Sequence, residues 1–309
     1  MHQALWFRRF GPPAEVLSLE STPPSPRPSG RVRVRMTAAP VNPSDLIPIT
    51  GAYRHRVSPP RVAGYEGCGV VVEVDDPAWI GRRVLPLRGD GTWQTYVDAV
   101  PDLLVPVPDD VPDDLAARAY INPLAARLML EAHPPSGRRV LLTAAGSACA
   151  RMLGAWALAE GAREVVAVHR SAVHGPSLAA MGMGAIGQDD PALARRAAGC
   201  DLAFDAVGGP LADAILAALP RSADFVSYGL LSGLPYRPVA GGPALHRFHL
   251  RDRLEGVSPA SWRGWFDGLW PRLRGVELPD VRRFPLADWR AALAAFDEPG
   301  RTFKPMLTF

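Results

Sequence analysis

From residue 140 to residue 228 the chain alternates strand-like and helix-like runs, and that order restricts the fold more than any other feature. Residues 140–143, 164–169, 201–206 and 224–228 are short, largely apolar, strand-like runs. Residues 148–160 and 210–219, rich in Ala and Leu, fall between them with helical spacing. Parallel strands cannot be joined by a tight hairpin and need a crossover, usually a helix, so this alternation predicts βαβ units around a parallel sheet. The flanks read differently. Residues 1–112 are rich in Pro, Val and Gly, and short strand-like runs such as 31–36 and 69–74 are separated by turn signals; this predicts a β-rich domain. Residues 113–133 form a long helical stretch interrupted near Asn122-Pro123. Near the C-terminus, 262–274 and 288–296 read as helices before a closing strand that rejoins the first domain. The expected organisation is α/β: a β-rich domain from 1–112 and 259–309, and a doubly wound parallel-sheet domain from 113–258.

With 309 residues, 48% of them hydrophobic, the chain is long enough for two ordinary cores. No window reaches the ~18 uninterrupted apolar residues of a membrane span. The first residues run straight into a strand-like Gln3-Ala4-Leu5-Trp6-Phe7 without a signal-peptide apolar region, so the expected location is the cytoplasm. A net charge of +3, scattered along the chain, does not suggest nucleic acid. Lys304 is the only lysine, so no other amine is available for Schiff-base or general-base work. Cys68, Cys149 and Cys200 are far apart and form no zinc cluster; an odd count fits a reducing compartment. The histidines show no ligand spacing, and no metal is expected.

The first strand of the alternation leads into Ala144-Ala145-Gly146-Ser147-Ala148-Cys149-Ala150, a small-residue turn and a helix start. Such a turn lets a pyrophosphate approach the backbone N–H groups at a helix N-terminus, but it also suits a purely structural turn. Gly146 is its sole glycine, and Ala148 and Ala150 stand where further glycines are expected. Ser147 is not a hydrolase nucleophile, because the nucleophile elbow needs glycines at fixed spacing on both sides and Cys149 stands at one of those positions. The second strand ends His169-Arg170-Ser171. An acid there would bind a ribose hydroxyl; an arginine can clamp a 2′-phosphate, which favours NADPH, or can simply be a solvated side chain. The turns Asp205-Ala206-Val207-Gly208-Gly209 and Tyr228-Gly229-Leu230-Leu231-Ser232-Gly233 also follow strands, where a doubly wound sheet borders its ligand crevice.

In the β-rich part, Asn42-Pro43-Ser44-Asp45 is a turn signal and Gly51-Ala52-Tyr53 a loop tip, followed by Gly64-Tyr65-Glu66-Gly67. A tyrosine on such a loop either points into a cleft or packs its ring and bonds its hydroxyl. Asn42 can orient a ligand or stabilise its own turn. Trp93, in Gly91-Thr92-Trp93-Gln94, is either a core tryptophan or an apolar wall. Arg54, His55 and Arg56 form a basic loop that is either solvated or attracts phosphates.

These motifs, with Asn122-Pro123 and Arg127-Leu128-Met129 and in this order, resemble the medium-chain dehydrogenase/reductase superfamily over nearly the whole chain. Within it the chain is most similar to the zinc-free 2-enoyl thioester reductases, next to the quinone oxidoreductases. The resemblance implies a GroES-like β domain split between the chain ends, a Rossmann domain between them, NADPH as hydride donor and a homodimer joined through the Rossmann sheets. It implies that Tyr53 is the catalytic tyrosine and that Trp93 lines the active site, with Asn42 beside them. It implies cofactor contacts at residues 146–150, His169, Arg170, Ser171, Asn122, Tyr228, Gly229, Leu230 and Lys304. Zinc-dependent members carry Cys and His where this chain reads Ser44 and Tyr65, and the four-cysteine lobe is missing. The chain departs from the family at Ala148, Ala150 and Ala125, where the family has glycines and a threonine, and it is short in its C-terminal third.

The chemistry so implied is reduction of a carbon–carbon double bond conjugated to a carbonyl, in a thioester of CoA or a carrier protein. Negative charge develops on the carbonyl oxygen, and donors aimed there lower the barrier. A phenol holds its proton at neutral pH and suits the acid that completes the reaction. A quinone or enone reductase of the same fold is the neighbouring alternative, and a non-catalytic NADPH-binding protein is the alternative of another class.

Overall fold

The computed structural model describes residues 1–309. The chain forms two compact units. The first comprises Met1–Ile121, Val257–Arg274 and Asp280–Phe309; the second comprises Asn122–Gly256 and Gly275–Pro279.

In the first unit, β1 (His2–Phe7), α1 (Pro13–Val16), β2 (Leu17–Thr22), β3 (Val32–Pro40), α2 (Pro43–Leu46) and β4 (Arg61–Val62) come first. They are followed by β5 (Cys68–Glu73), β6 (Arg83–Pro86), β7 (Tyr96–Ala99), β8 (Leu104–Pro106) and α3 (Asp113–Ala116). In the second, α4 (Ile121–Ala132), β9 (Arg139–Leu142), α5 (Ala148–Ala159), β10 (Glu164–His169), α6 (Gly175–Ala180) and β11 (Gly184–Gly187) lead into α7 (Leu193–Ala197). Then come β12 (Leu202–Asp205), α8 (Gly209–Ala218), β13 (Asp224–Ser227) and β14 (Ala244–Arg247). The chain closes with α9 (Pro259–Arg274), β15 (Asp280–Pro285), α10 (Trp289–Asp297) and β16 (Phe303–Thr308).

The second unit is a six-stranded sheet in the order β11-β10-β9-β12-β13-β14, parallel throughout. Its central strands are apolar on both faces because crossover helices cover the sheet. Leu141, Val166, Val168, Ala203 and Phe225 pack with Ile215 and Leu216 of α8. The first unit carries a three-stranded sheet, β2-β1-β4, and a seven-stranded one, β15-β16-β3-β5-β6-β8 with β7 on β3. The last strand, β16, returns antiparallel to β3, which places the C-terminal segment in the same sheet as residues 32–40.

The helical stretch expected over 113–133 breaks earlier than the sequence suggests. The break lies between α3 and α4, and Asn122-Pro123 falls in the first turn of α4. Proline is tolerated there because the first helical N–H groups have no intrahelical partner to lose. Residues 113–121 belong to the first unit, so the boundary falls after the first residue of α4. Arg83 Nη1 donates to Asp113 Oδ1 at 2.9 Å, and Glu66 Oε2 accepts from the Ile121 N–H at 2.7 Å. No helix is long and apolar enough to cross a membrane.

Candidate functional site

The nucleotide-type turn of the second unit follows β9. Ala144 takes a left-handed conformation with φ 50°, a position where glycine is the unstrained choice. Ser147 is the N-cap of α5, and its Oγ accepts from the Ala150 N–H at 3.3 Å. Ala148 is half-buried and opens the helix, while Ala150 is fully buried. Neither alanine sits at a positive φ. A side chain at Gly146 would collide with the imidazole of His174, so that glycine makes room for the chain's own ring. Beneath the turn, Thr143 Oγ1 donates to Asp205 Oδ1 at 2.7 Å and accepts from the Ala206 N–H at 2.9 Å. The other Asp205 oxygen accepts from the Gly208 N–H at 2.8 Å. Burial pushes the Asp205 carboxyl above its ordinary value, and its partners at Thr143, Gly208 and Val207 oppose the shift. This clamp ties the ends of β9 and β12 together. Composition gave no sign of it, because it needs the register of the folded sheet.

The turn after β13 packs backbone to backbone on the turn after β12. Leu231 N–H donates to Ala206 O at 3.0 Å, and a Cβ at Gly229 would fall 2.7 Å from Ala206 O. Tyr228 begins this turn with its N–H on Asp205 O at 2.8 Å. Asn122 lies beside the same region, its carbonyl 3.8 Å from Cys149 Sγ. Burial pushes the Cys149 thiol up to about 12 and the Tyr228 phenol well above its ordinary value, so neither ionises at neutral pH. Leu230 is exposed at the tip.

The residues expected to hold a phosphorylated dinucleotide lie at the C-terminal end of β10 and at the start of α5. His169 ends β10 buried, with Nδ1 lacking a hydrogen-bond partner. Arg170 is exposed beside it, Ser171 is half-buried, and neither is an acid. The first N–H groups of α5 belong to a helix terminus, where intrahelical acceptors are absent.

In the first unit, β16 pairs with β3 in the register Met306↔Pro40 and Leu307↔Ala39. Continued along the strands, that register sets Lys304 opposite Asn42. The Lys304 ammonium donates to Asn42 Oδ1. Asn42 Nδ2 donates to Glu66 Oε1 at 2.7 Å, and the Asn42 N–H donates to Asp45 Oδ2 at 2.8 Å. Asp45 Oδ1 accepts from the Tyr65 N–H at 2.8 Å. Asn42, Asp45, Glu66 and Lys304 are all buried. Burial and the neighbouring Glu66 raise Asp45 to about 7, and burial lowers Lys304 to about 8 against the pull of Glu66 and Asp45. Of the two roles open to Asn42, its side chain performs a structural one: it bridges the ammonium and a carboxylate. Lys304, expected at the cofactor, is committed to this cluster, and no local pattern signals Glu66 as a member of it.

Tyr53 lies on the turn after Gly51, which adopts φ 88° and packs where a Cβ would press on Phe10. Its ring is half-buried and meets His55 edge-on, centroids 6.2 Å apart. Arg54, His55 and Arg56 are exposed around it. Trp93 corrects one expectation. It has no exposed surface, packs in the core with Leu5, Ile49 and Trp289, and donates from Nε1 to Pro40 O at 3.3 Å. A side chain at Gly64 would collide with its ring. Trp93 is therefore a core residue that supports the Gly64 turn rather than a wall open to substrate. Ser44 and Tyr65 offer neither an imidazole nor a thiolate, and the Lys304 ammonium already supplies positive charge to the acidic cluster, so this region does not suit zinc.

Residues 28–109 match the alcohol dehydrogenase GroES-like domain family. The chain is 30% identical to the mitochondrial enoyl-(acyl-carrier-protein) reductase of Homo sapiens, over 99% of this chain and 88% of that protein. A protein of Bacillus thuringiensis assigned as an NADPH:quinone reductase has the same fold, with a TM-score of 0.92 and 33% identity, covering 100% of this chain and 99% of that one. The mitochondrial 2-enoyl thioester reductase heterodimer of Candida tropicalis shares the fold at a TM-score of 0.84 and 18% identity, covering 100% and 99%. With a GroES-like unit, a parallel-sheet unit and full-length likeness to these proteins, the chain belongs to the zinc-free branch of the medium-chain dehydrogenase/reductase superfamily, alongside the enoyl thioester reductases and quinone oxidoreductases.

Proposed function

We propose that the protein is an NADPH-dependent reductase of the carbon–carbon double bond of an α,β-unsaturated carbonyl compound, a 2-enoyl thioester of CoA or a carrier protein, working without zinc. The full-length likeness to the human enoyl-(acyl-carrier-protein) reductase carries this reading. NADPH supplies the hydride when bound. Residues 146–150, His169, Arg170, Ser171, Asn122 and the turn at Tyr228, Gly229 and Leu230 are the proposed cofactor contacts. Arg170 supplies charge for a 2′-phosphate, and the absence of an acid at 169–171 removes the partner that would favour NADH.

As the double bond is reduced, charge accumulates on the carbonyl oxygen of the substrate. Tyr53 is the proposed donor, either to that oxygen or to the α-carbon. Its half-exposed position on a turn fixed by Gly51 supports this role. The cluster of Lys304, Asn42, Glu66 and Asp45 positions the turn that leads to it, because Asp45 and Asn42 frame α2 immediately before that loop. We further propose a homodimer formed through the exposed edge strand β14, where Ala244 and Leu245 are open to pairing, and a reducing compartment, which the odd count of three scattered cysteines fits.

A quinone or enone reductase is the second reading. It is favoured by the greater identity and TM-score of the Bacillus thuringiensis protein. NADPH oxidation measured against enoyl thioesters, free enones and quinones separates the two. Turnover of thioesters well above quinones supports the first reading. Turnover of quinones alone supports the second, and tight NADPH binding without turnover of any acceptor refutes both.

A further inference from the structure

His133, Asp224 and His246 are far apart in sequence, yet the second unit gathers them. His133 follows α4, its N–H still on Met129 O at 2.9 Å. Asp224 is the first residue of β13. His246 lies in β14, with Val226 of β13 as its register partner and Ala244 opposite Asp224. Residues two apart on parallel neighbours share a sheet face, so the strands deliver the carboxylate and one imidazole to the same side. The end of α4 brings the second imidazole to them. The cluster sits toward the N-terminal edge of the sheet, whereas the Gly146 turn follows the C-terminal end of β9.

We infer that these three side chains form a binding site for a divalent transition-metal ion of the zinc type. One ligand-competent atom from each lies within 4.8 Å of the other two. His246 Nε2 and Asp224 Oδ1 are 2.9 Å apart. Ligands on a tetrahedral zinc sit ~2.0–2.2 Å from the ion and so about 3.4 Å from one another, so this pair must part by about 0.5 Å and exchange its hydrogen bond for the ion. His133 already has a ring nitrogen within 4.8 Å of the other two ligand atoms. The two imidazole centroids are 4.6 Å apart at 59°. The His246–Asp224 hydrogen bond alone gives no reason for a second imidazole so near; a shared cation does. Two imidazoles and one carboxylate suit zinc, nickel or copper rather than the oxygen-seeking magnesium or calcium.

The surroundings are consistent with a partly open site. Arg138 Nη2 donates to Asp224 Oδ2 at 2.6 Å and to Asp201 O at 2.5 Å, which holds the carboxylate with Oδ1 toward the imidazoles. Outer-shell hydrogen bonds of this kind orient metal-binding carboxylates. The side chains of His246 and Asp224 are 39% and 27% exposed, so an ion can reach them, and three protein ligands leave a position for water. The positive charges of Arg138 and Arg253 act on His133 and oppose a further cation there.

The test uses the full chain, purified without a polyhistidine tag and freed of metal with a chelator. Calorimetric titration with zinc chloride is expected to show one equivalent bound per chain. The paired substitution His133→Gln with His246→Gln is expected to weaken binding at least tenfold. An unchanged affinity in that variant, or no binding to the native chain, overturns the site. Should the variant fail to fold, nickel-induced broadening of histidine ring signals in the native protein decides. Selective broadening of His133 and His246 among the seven histidines supports the site, and broadening confined to the others overturns it.

Discussion

The Lys304 ammonium donates to Asn42 Oδ1, joining the last strand of the chain to a turn 262 residues earlier. It is the only lysine in the protein, and it is buried among Asn42, Asp45 and Glu66. Removing one partner of a buried charge cluster leaves the others uncompensated and typically costs ~3–5 kcal/mol. Lys304→Met is therefore expected to lower unfolding stability by about that amount, measured by urea denaturation. A change under about 0.5 kcal/mol, the usual range for a surface substitution, would show that the cluster is not a charge-paired unit.

The same cluster sets a pH dependence. The Asp45 carboxyl is raised from 3.8 to about 7 by burial and by Glu66. The folded state therefore binds its proton more tightly than the unfolded state does, and this residue's contribution falls as pH rises from 3.8 to about 7. Lys304 is lowered from 10.5 to about 8, so its contribution rises with pH across that interval. Stability measured against pH for the native chain and Asp45→Asn is expected to differ in slope below neutrality. The native-minus-variant difference should decline toward pH 7, and a difference that increases there would reverse the assignment.

Much of the fold was legible because it depends on local pattern. The strand and helix alternation from β9 to β13 follows from apolar periodicity and crossover length. β11 and β14 were not legible: the first is Gly-Ala-Ile-Gly and the second Ala-Leu-His-Arg, and each carries only one large apolar residue. The site divides in the same way. Gly146, Ser147 and Asn42-Pro43-Ser44-Asp45 announce turns from their own residue types. The partners of Lys304, the Thr143–Asp205 clamp and the gathering of His133 with His246 arise from strand register and sheet order, which no local window contains. Trp93 shows the reverse limit. A motif can name an aromatic residue, but burial decides which of its two roles it performs.

Arg170 is expected to set cofactor choice. A hydrogen bond to a charged group is worth ~1.5–3 kcal/mol, so Arg170→Ala should weaken NADPH binding about tenfold to a hundredfold and leave NADH binding nearly unchanged. Fluorescence titration of both cofactors measures this. Equal dissociation constants for NADPH and NADH in the native chain would contradict a role for Arg170 at the 2′-phosphate.

Chelation is expected to leave turnover unchanged. Ser44 and Tyr65 make poor zinc ligands, and Lys304 places a cation in the acidic cluster nearby. Loss of activity together with stoichiometric zinc, and its return on adding zinc back, would overturn the zinc-free mechanism.

Tyr53→Phe is expected to lower kcat at least tenfold on an accepted enoyl thioester while leaving the NADPH Kd nearly unchanged. General acid catalysis contributes ~10²–10⁴ in rate, and water can partly replace the lost hydroxyl. The kcat is to be read with a deuteride isotope effect, which shows whether the reducing step limits turnover. An unchanged kcat under a limiting reducing step would remove Tyr53 from the chemistry.

The reduction itself is tested most directly by the fate of the reducing hydrogen. The protein is incubated with NADPH deuterated at the transferred position of nicotinamide C4 and with crotonyl-CoA, and the product is examined by mass spectrometry and NMR. The expected result is the saturated thioester with one deuterium on the β-carbon and one NADPH consumed per product. Absence of the saturated thioester, with the same preparation oxidising NADPH readily on a quinone, would contradict enoyl thioester reduction.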